Sequence, residues 1–449
     1  MTTLPTDHTP SPDSASHVPA NLKKVKRAAA ASILGTTLEY YEFYIYASAA
    51  ALVFPHVFFP TADPYIGMML SLSTFAIGSI VRPIAAGVLG HYGDRLGRKK
   101  MLMITLGLMG LSTFLIGCLP SYDAIGLWAP GLLVLLRIMQ GISVAGEQAG
   151  SGTLTLEHAP VGRRGFFCSF TPAGTAGGFL VATAVFGLVA LMPDEDLLAW
   201  GWRLPFYASI LLVIAAFLVR RYLDEPEVFE EAKEHDEIVK SPVATLFRTH
   251  KAEVSRVFVA SLFAVLFQIP PVFGLAFATS PDVGVSRTTM LWVSIASFTI
   301  ALLTYPLFSG LSDRIGRKPV FIVGTLGSGL AVFPYLAAIT AGNVPMIFAT
   351  GILVMGLLTV AANAVYPSFF GEMFNVKVRF TGLALGTQVG FALAGFAPAI
   401  GWALIGKGST NWLPVAVMVL VCCVLASIAA ATAPETYKTP VEKLGNSIR

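Results

Sequence analysis

Two glutamates three positions apart, Glu39 and Glu42, interrupt one apolar run, and a single arginine, Arg137, interrupts another. A hydrocarbon environment excludes such groups, at about 3 kcal/mol or more each by insertion scales, so residues placed there are functional candidates. If the first run begins near residue 29, Glu39 lies about 10 residues in, roughly 15 Å along a helix and close to the membrane midplane. The spacing puts Glu39 and Glu42 on one face, with Tyr46 one turn beyond Glu42 and Tyr41 beside it. Arg137 reaches a similar depth in a run that starts near 126, and Gln140, Val144 and Glu147 follow it along one helical stripe. An arginine offers a planar two-pronged fork to a cargo carboxylate. A carboxyl group that alternates between an apolar cavity and a cationic neighbour can load and release a proton. The competing reading is a permanent buried ion pair of Glu39, Glu42 and Arg137 that only fixes helix packing.

The second half of the chain has no ionisable residue at that depth. Its candidates are Gln268, Asn363, Tyr366 and Gln388, which fit neutral hydrogen bonding to a cargo, or interhelical contacts of about 1 kcal/mol each. Gly146-x-x-x-Gly150, Gly174-x-x-x-Gly178 and Gly386-x-x-x-Gly390 read as sites of close helix approach.

Other charges recur at fixed offsets. Gly90-His91-Tyr92-Gly93-Asp94-Arg95-Leu96-Gly97-Arg98-Lys99 returns as Ser309-Gly310-Leu311-Ser312-Asp313-Arg314-Ile315-Gly316-Arg317-Lys318. Glu157 and Arg164 are echoed in the same way by Glu372 and Arg379. Asp94, Arg95, Arg98, Glu157, Arg164, Asp313, Arg314, Arg317, Glu372 and Arg379 form a predicted belt at the cytoplasmic mouth, able to latch two bundles together. Arg82 and Glu147, nearer the cytoplasmic side than Arg137, join them as gating candidates. Repetition of this kind signals a duplicated chain, and duplicated multi-span chains are the plan of secondary transporters.

The elements that must position these groups are apolar helices. The 449 residues are 55% hydrophobic and 12% charged, against about 25% charged in soluble domains. Spanning runs need roughly 20 residues. Twelve are read, near 29–52, 66–89, 101–118, 126–152, 165–192, 202–220, 253–279, 288–308, 319–341, 345–370, 381–406 and 412–433. Lys and Arg stay cytoplasmic during insertion. With both termini inside, only Arg203, Arg287 and Lys407 fall near outer ends, and Arg82 and Arg137 fall within spans. The expected architecture is therefore an all-α membrane protein with twelve transmembrane helices in two six-helix bundles. Residues 1–27 form a cytoplasmic tail read as disordered and without a cleavable signal, 28–222 one bundle, 223–252 a cytoplasmic connector, 253–433 the second bundle and 434–449 a second tail.

The net charge of +4 is then mostly topology and gives no reason to expect a nucleic-acid partner. Cys118, Cys168, Cys422 and Cys423 lie in predicted spans without metal-site spacing. Gly401–Gly408 imitates a phosphate loop, but Gly408 replaces the required Ser or Thr, which removes the hint of ATP drive. No cofactor or metal is expected; the energy source is a proton gradient, and the partners are a small organic acid, the proton and the lipid bilayer, around a chain read as monomeric.

Several motifs together resemble the metabolite:proton symporters of the major facilitator superfamily, which include shikimate, alpha-ketoglutarate, citrate and proline/betaine carriers. They are Glu39-Tyr40-Tyr41-Glu42-Phe43, Val81-Arg82-Pro83, Gly90 to Lys100, Arg137-Ile138-Met139-Gln140-Gly141 with Gly146-Glu147, Glu157-His158-Ala159-Pro160 with Arg164-Gly165-Phe166, Trp200 to Phe206, and Glu372-Met373-Phe374 with Val378 to Gly382. Tyr40 stands where the family usually has Trp, and Glu42 where it has Asp. The resemblance implies the major facilitator fold, no enzymatic activity, a multi-pass place in the inner (plasma) membrane, and alternating access. The lone arginine favours a shikimate-like or other hydroxy or aromatic carboxylate as cargo. A betaine, proline, dicarboxylate or tricarboxylate carrier, and a passive facilitator, are the alternatives.

Overall fold

The computed structural model describes residues 22–96, 98–144, 162–221, 242–375, 378–440 and 443–445, with Leu156 and Ala159 between; among them the secondary structure is helical, without a strand. In chain order the long helices are α1 (Leu22–Leu52), α2 (Pro64–Leu96), α3 (Arg98–Cys118), α4 (Trp128–Val144), α5 (Arg164–Val189), α6 (Leu204–Arg221), α7 (Lys251–Ala278), α8 (Arg287–Ile315), α9 (Arg317–Thr340), α10 (Val344–Gly371), α11 (Thr381–Ile405) and α12 (Leu413–Thr432). Eight among the described residues, in α2, α5 and α7 to α12, are long and apolar enough to cross a membrane, and α3 and α4 carry shorter apolar stretches. α1 and α6 are helical over their predicted runs without being among the eight. A helix satisfies its own backbone polar groups, which is what a lipid environment demands. Exposed side chains such as Ile84, Leu211, Leu303, Leu307 and Val323 give it an apolar outer surface.

The repeated motif, which falls between predicted spanning runs, is largely helical. α2 begins at Pro64, a residue suited to a first helical position, and remains helical to Leu96; α3 begins at Arg98. In the second copy only Gly316 separates α8 from α9, at φ +108°. That backbone region suits glycine, and a Cβ at Gly316 would also stand 2.7 Å from Glu435 Oε2.

α1 packs on α5 through the glycines expected to do so: a Cβ on Gly174 would lie 2.7 Å from the Ile33 carbonyl oxygen, and one on Gly178 2.5 Å from that of Thr37. Gly386 and Gly390 meet Val257 and Ser261 of α7 in the same way, while Gly146 and Gly150 lie outside the described residues. α2 packs on α4 and α3 on α6; in the second half α7 packs on α11, α8 on α10 and α9 on α12. Across the halves α5 packs on α8, and α2 on α11.

α7 is discontinuous. An α-helical start gives way to a 3-10 segment, Ser261–Phe267, then a π segment, Ile269–Phe273. Pro270 and Pro271 have no N–H, so carbonyls one turn earlier lose their partners. Tyr335 and Tyr44 donate from their hydroxyls to the Pro270 and Pro271 carbonyls, each at 3.2 Å.

Candidate functional site

Glu39, Glu42, Arg82, Arg137 and Gln140 line one narrow cavity with Phe43, Gly78, Met109 and Gly141, on the order of one water molecule in size. Residues of α1 and α4 predicted to act together thus share one pocket. All five polar residues are buried. Arg82, expected nearer the gate, belongs to this pocket, with its guanidinium 5.1 Å from the Phe43 ring centre.

The pocket is wired through neutral groups. Arg137 donates from Nη1 to Gln140 Oε1 at 3.0 Å, Gln140 Nε2 donates to Thr113 Oγ1 at 2.6 Å, and Thr113 donates to Glu42 Oε2 at 2.6 Å. Arg137 also donates from Nε and Nη2 to the Phe75 carbonyl, at 3.4 and 3.3 Å. Its guanidinium lies 4.2 Å from the Tyr46 ring centre, 5.0 Å from Phe75 and 5.3 Å from Phe43, within cation–π range. Arg137 and Glu42 are therefore joined by a relay, where the sequence suggested a direct ion pair. Thr113 was missed because a threonine in an apolar helix usually bonds its own backbone.

Tyr46 donates to Thr74 Oγ1 and Tyr41 to the Pro205 carbonyl, both at 2.8 Å. The Tyr41 hydroxyl ties α1 to α6. In the second half, Asn363 donates to the Tyr305 hydroxyl. Tyr366 stands within electrostatic reach of Glu39, Tyr40 and Tyr305, and Gln268 and Gln388 are buried. Tyr305, unmarked in the sequence, lines a second small cavity between the halves with Thr175, Phe179, Phe298 and Thr359. The two cavities share no lining residue. Neither of these cavities is lined by the second-half amides Gln268, Asn363 and Gln388; Tyr44, Phe179 and Phe298 pack as an aromatic cluster at the bundle boundary, with centroid separations of 4.7, 5.0 and 5.9 Å.

Several residues of the recurring charged motifs come together at one end of the two halves. Asp313 accepts the main-chain N–H of Gly165 and of Phe166, each at 2.9 Å, and Arg317 Nη1 at 2.7 Å. Glu372 receives Arg317 Nη2 at 3.2 Å and lies 3.5 Å from Arg164 Nε. Arg379 is buried and donates to the Phe374 carbonyl at 3.3 Å, whereas Arg314 is exposed, outside the cluster. Asp94, Arg95 and Arg98 have side chains outside the described residues, as do Glu147 and Glu157 altogether. The tail supplies two unforeseen members: Glu435 accepts the N–H of Arg317 and of Lys318, at 2.9 and 3.0 Å, and Thr436 donates to Glu372 at 2.6 Å.

The opposite ends of the halves are tied as well. Arg287 at the start of α8 donates to the Ala190 and Met192 carbonyls beyond the C-terminal end of α5, at 3.0 and 2.9 Å, and pairs with Asp194. Lys407 bonds Asp63 at 2.6 Å, and that hydrogen bond holds the Asp63 carboxyl below the usual carboxylate range. Trp402 stacks on Tyr65 and donates to its carbonyl at 3.2 Å.

Two helical halves in contact at both ends, enclosing polar groups amid apolar helices, define a multi-pass membrane transporter. The profile of the Major Facilitator Superfamily matches residues 32–283, and that of sugar (and other) transporters residues 220–447. The shikimate transporter of Escherichia coli (strain K12) is 36% identical over 415 residues, covering 91% of this chain and 94% of that protein. An inner membrane metabolite transport protein of the same organism is 39% identical over 380 residues, covering 82% and 86%. Its proline/betaine transporter is 30% identical over 435 residues, covering 93% and 85%. In fold, the chain resembles a solved proton:xylose symporter, with a TM-score of 0.72 at 18% identity, covering 95% of this chain and 99% of that one. The chain belongs to the major facilitator superfamily, among its metabolite carriers.

Proposed function

We propose that the protein is a proton-coupled symporter that imports a small organic acid, shikimate-like or another hydroxy or aromatic carboxylate, by alternating access. The supporting observation is the buried relay from Arg137 to Glu42, which joins a carboxylate-binding cation to a titratable carboxyl group within one pocket. Arg137 reads the cargo carboxylate, Glu42 or Glu39 carries the proton, and Gln140, Tyr41, Tyr46, Gln268, Asn363, Tyr366 and Gln388 shape the cargo path. The similarity to a shikimate transporter agrees with an acid cargo. A betaine's quaternary ammonium would seek aromatic faces, but those of Tyr46, Phe75 and Phe43 are already turned to the Arg137 guanidinium. The matching ties at both ends favour an alternating carrier over a passive facilitator.

In this reading twelve spans form bundles 28–222 and 253–433, the connector 223–252 and both tails face the cytoplasm, and the chain works as a monomer in the inner membrane. The Asp313, Arg317, Glu372 and Arg164 cluster closes the cytoplasmic side; the Arg287 and Lys407 ties close the outer side.

The test is uptake of labelled shikimate by cells, with and without a protonophore, in the presence of competing acids or their methyl esters. Acids should compete and esters should not. Glu42→Gln or Glu39→Gln should abolish uphill accumulation while exchange persists. Equal competition by acid and ester, or full accumulation in both glutamine variants, overturns the reading.

A further inference from the structure

A hydroxyl group has one proton to give. Thr113 gives it to Glu42, so only its lone pairs face Gln140, and Gln140 must turn its amide NH2 toward Thr113. The amide oxygen is thereby left facing Arg137, which donates to it at 3.0 Å. The direction of each bond is fixed by the one before, and the first is fixed by the negative charge of Glu42.

A protonated Glu42 is itself a donor, which frees the Thr113 hydroxyl to turn its proton to Gln140. Gln140 then accepts from Thr113 with its oxygen and presents NH2 to Arg137, donor against donor. The guanidinium keeps only the Phe75 carbonyl and its aromatic neighbours.

We propose that Thr113 and Gln140 are positioning residues that report the protonation state of Glu42 to Arg137, so that a proton on Glu42 releases the guanidinium fork for the cargo carboxylate. The inference rests on the roles of Glu42 and Arg137 proposed above, and it assigns Gln140 to coupling within α3 and α4 before any contact with cargo. It gives the order of events a physical basis: proton first, then carboxylate. The titratable or charged groups on or beside the pocket are Glu39, Tyr41 and Tyr46 of α1, Arg82 of α2 and Arg137 of α4, with the neutral Thr113 facing from α3.

The test needs no cargo. Infrared difference spectra between acid and alkaline buffer are recorded on the full chain in lipid, with arginine isotope-labelled in its guanidinium group. The wild type should show a carboxyl band that Glu42→Gln removes and a guanidinium change that Arg137→Lys removes; Glu42→Gln should remove both. Thr113→Val should keep the carboxyl band and lose the guanidinium change, and Thr113→Ser should restore it. Gln140→Leu, which breaks the next link, should behave as Thr113→Val does. Retention of the carboxyl band is the internal check that the pocket is intact. A full guanidinium response in Thr113→Val and Gln140→Leu overturns the relay alone. A carboxyl band that survives Glu42→Gln overturns the proton role of Glu42 and the relay with it.

Discussion

If the Asp313 cluster closes the cytoplasmic side as proposed, Asp313→Asn is expected to open that side about 100-fold more often. Only bonds that cross the bundle boundary resist opening, since bonds within one half move with it. Arg317 and Glu372 belong to the same half as Asp313, so their pairing persists in either state. The Gly165 and Phe166 N–H groups belong to the other half and both point at the Asp313 carboxylate, at 2.9 Å. A hydrogen bond to a charged group contributes about 1.5–3 kcal/mol, and a neutral one about 1 kcal/mol. An asparagine oxygen can keep one N–H, now as a neutral bond, while its NH2 faces the other. The closed state loses about 3 kcal/mol, and a factor of ten corresponds to about 1.4 kcal/mol. Cys168, buried on the turn that begins at Arg164, is a built-in reporter. With Cys118, Cys422 and Cys423 replaced by serine, maleimide labelling of Cys168 in inverted vesicles tracks the open population when opening is fast relative to labelling. An unchanged labelling rate in a variant that elutes as a folded protein would refute the latch.

Arg287→Gln should favour the opposite opening, because three acceptors on the α5 side lose their donor; a cysteine at Val189, buried in the closed form, should then react faster with an impermeant thiol reagent added from outside. Gly178→Ala should lower the thermal midpoint in detergent, by overpacking of about 1–3 kcal/mol, since its Cβ would stand 2.5 Å from the Thr37 carbonyl oxygen and 2.7 Å from Tyr40 Cβ; an unshifted midpoint would mean that α1 and α5 separate freely. Lys407→Gln should leave the shape of the pH–uptake curve unchanged. The Asp63 carboxyl is depressed by its bond to Lys407, so its contribution is present above the ordinary carboxylate value and is lost only as pH falls through the lowered one, which leaves the tie constant between about pH 5 and 8.

The parts of this molecule that the sequence revealed are those where chemistry conflicts with its surroundings. Glu39, Glu42 and Arg137 stand out because hydrocarbon excludes charge, and arithmetic on a helix places them at one depth. Gly174 and Gly178 stand out as a pair of small residues one turn apart, and they do seat α1 against α5. Thr113 and Tyr305 gave no such signal, because hydroxyl groups are ordinary in membrane helices and most of them, like Ser112 on the Met109 carbonyl, bond within their own helix. Their partners come from distant parts of the chain, and no local pattern encodes that. The first copy of the repeated motif falls between the predicted runs 66–89 and 101–118, yet a breaker residue lowers helix stability by only about 1 kcal/mol, less than tertiary packing supplies, so α2 continues through Gly90 and Gly93.

The same contrast separates the work of the two halves. Every ionisable residue lining the pocket, from Glu39 to Arg137, comes from the first half, while the second half offers Asn363, Tyr305 and a helix broken at Gln268. In the proposed mechanism, a proton taken up in the first half influences the second through groups that cross the boundary. Among the described residues these include Tyr44 on Phe298 and on the Pro271 carbonyl, and Phe179 on Phe298. The ionisable groups that line the pocket therefore come from one bundle, and the second bundle meets them through Tyr366, within electrostatic reach of Glu39, and through aromatic packing. An aromatic contact closed by shape involves no desolvation of ions, whereas the buried Arg164–Glu372 pair at the end of the bundles must be desolvated again on every closure, at several kcal/mol for each ion.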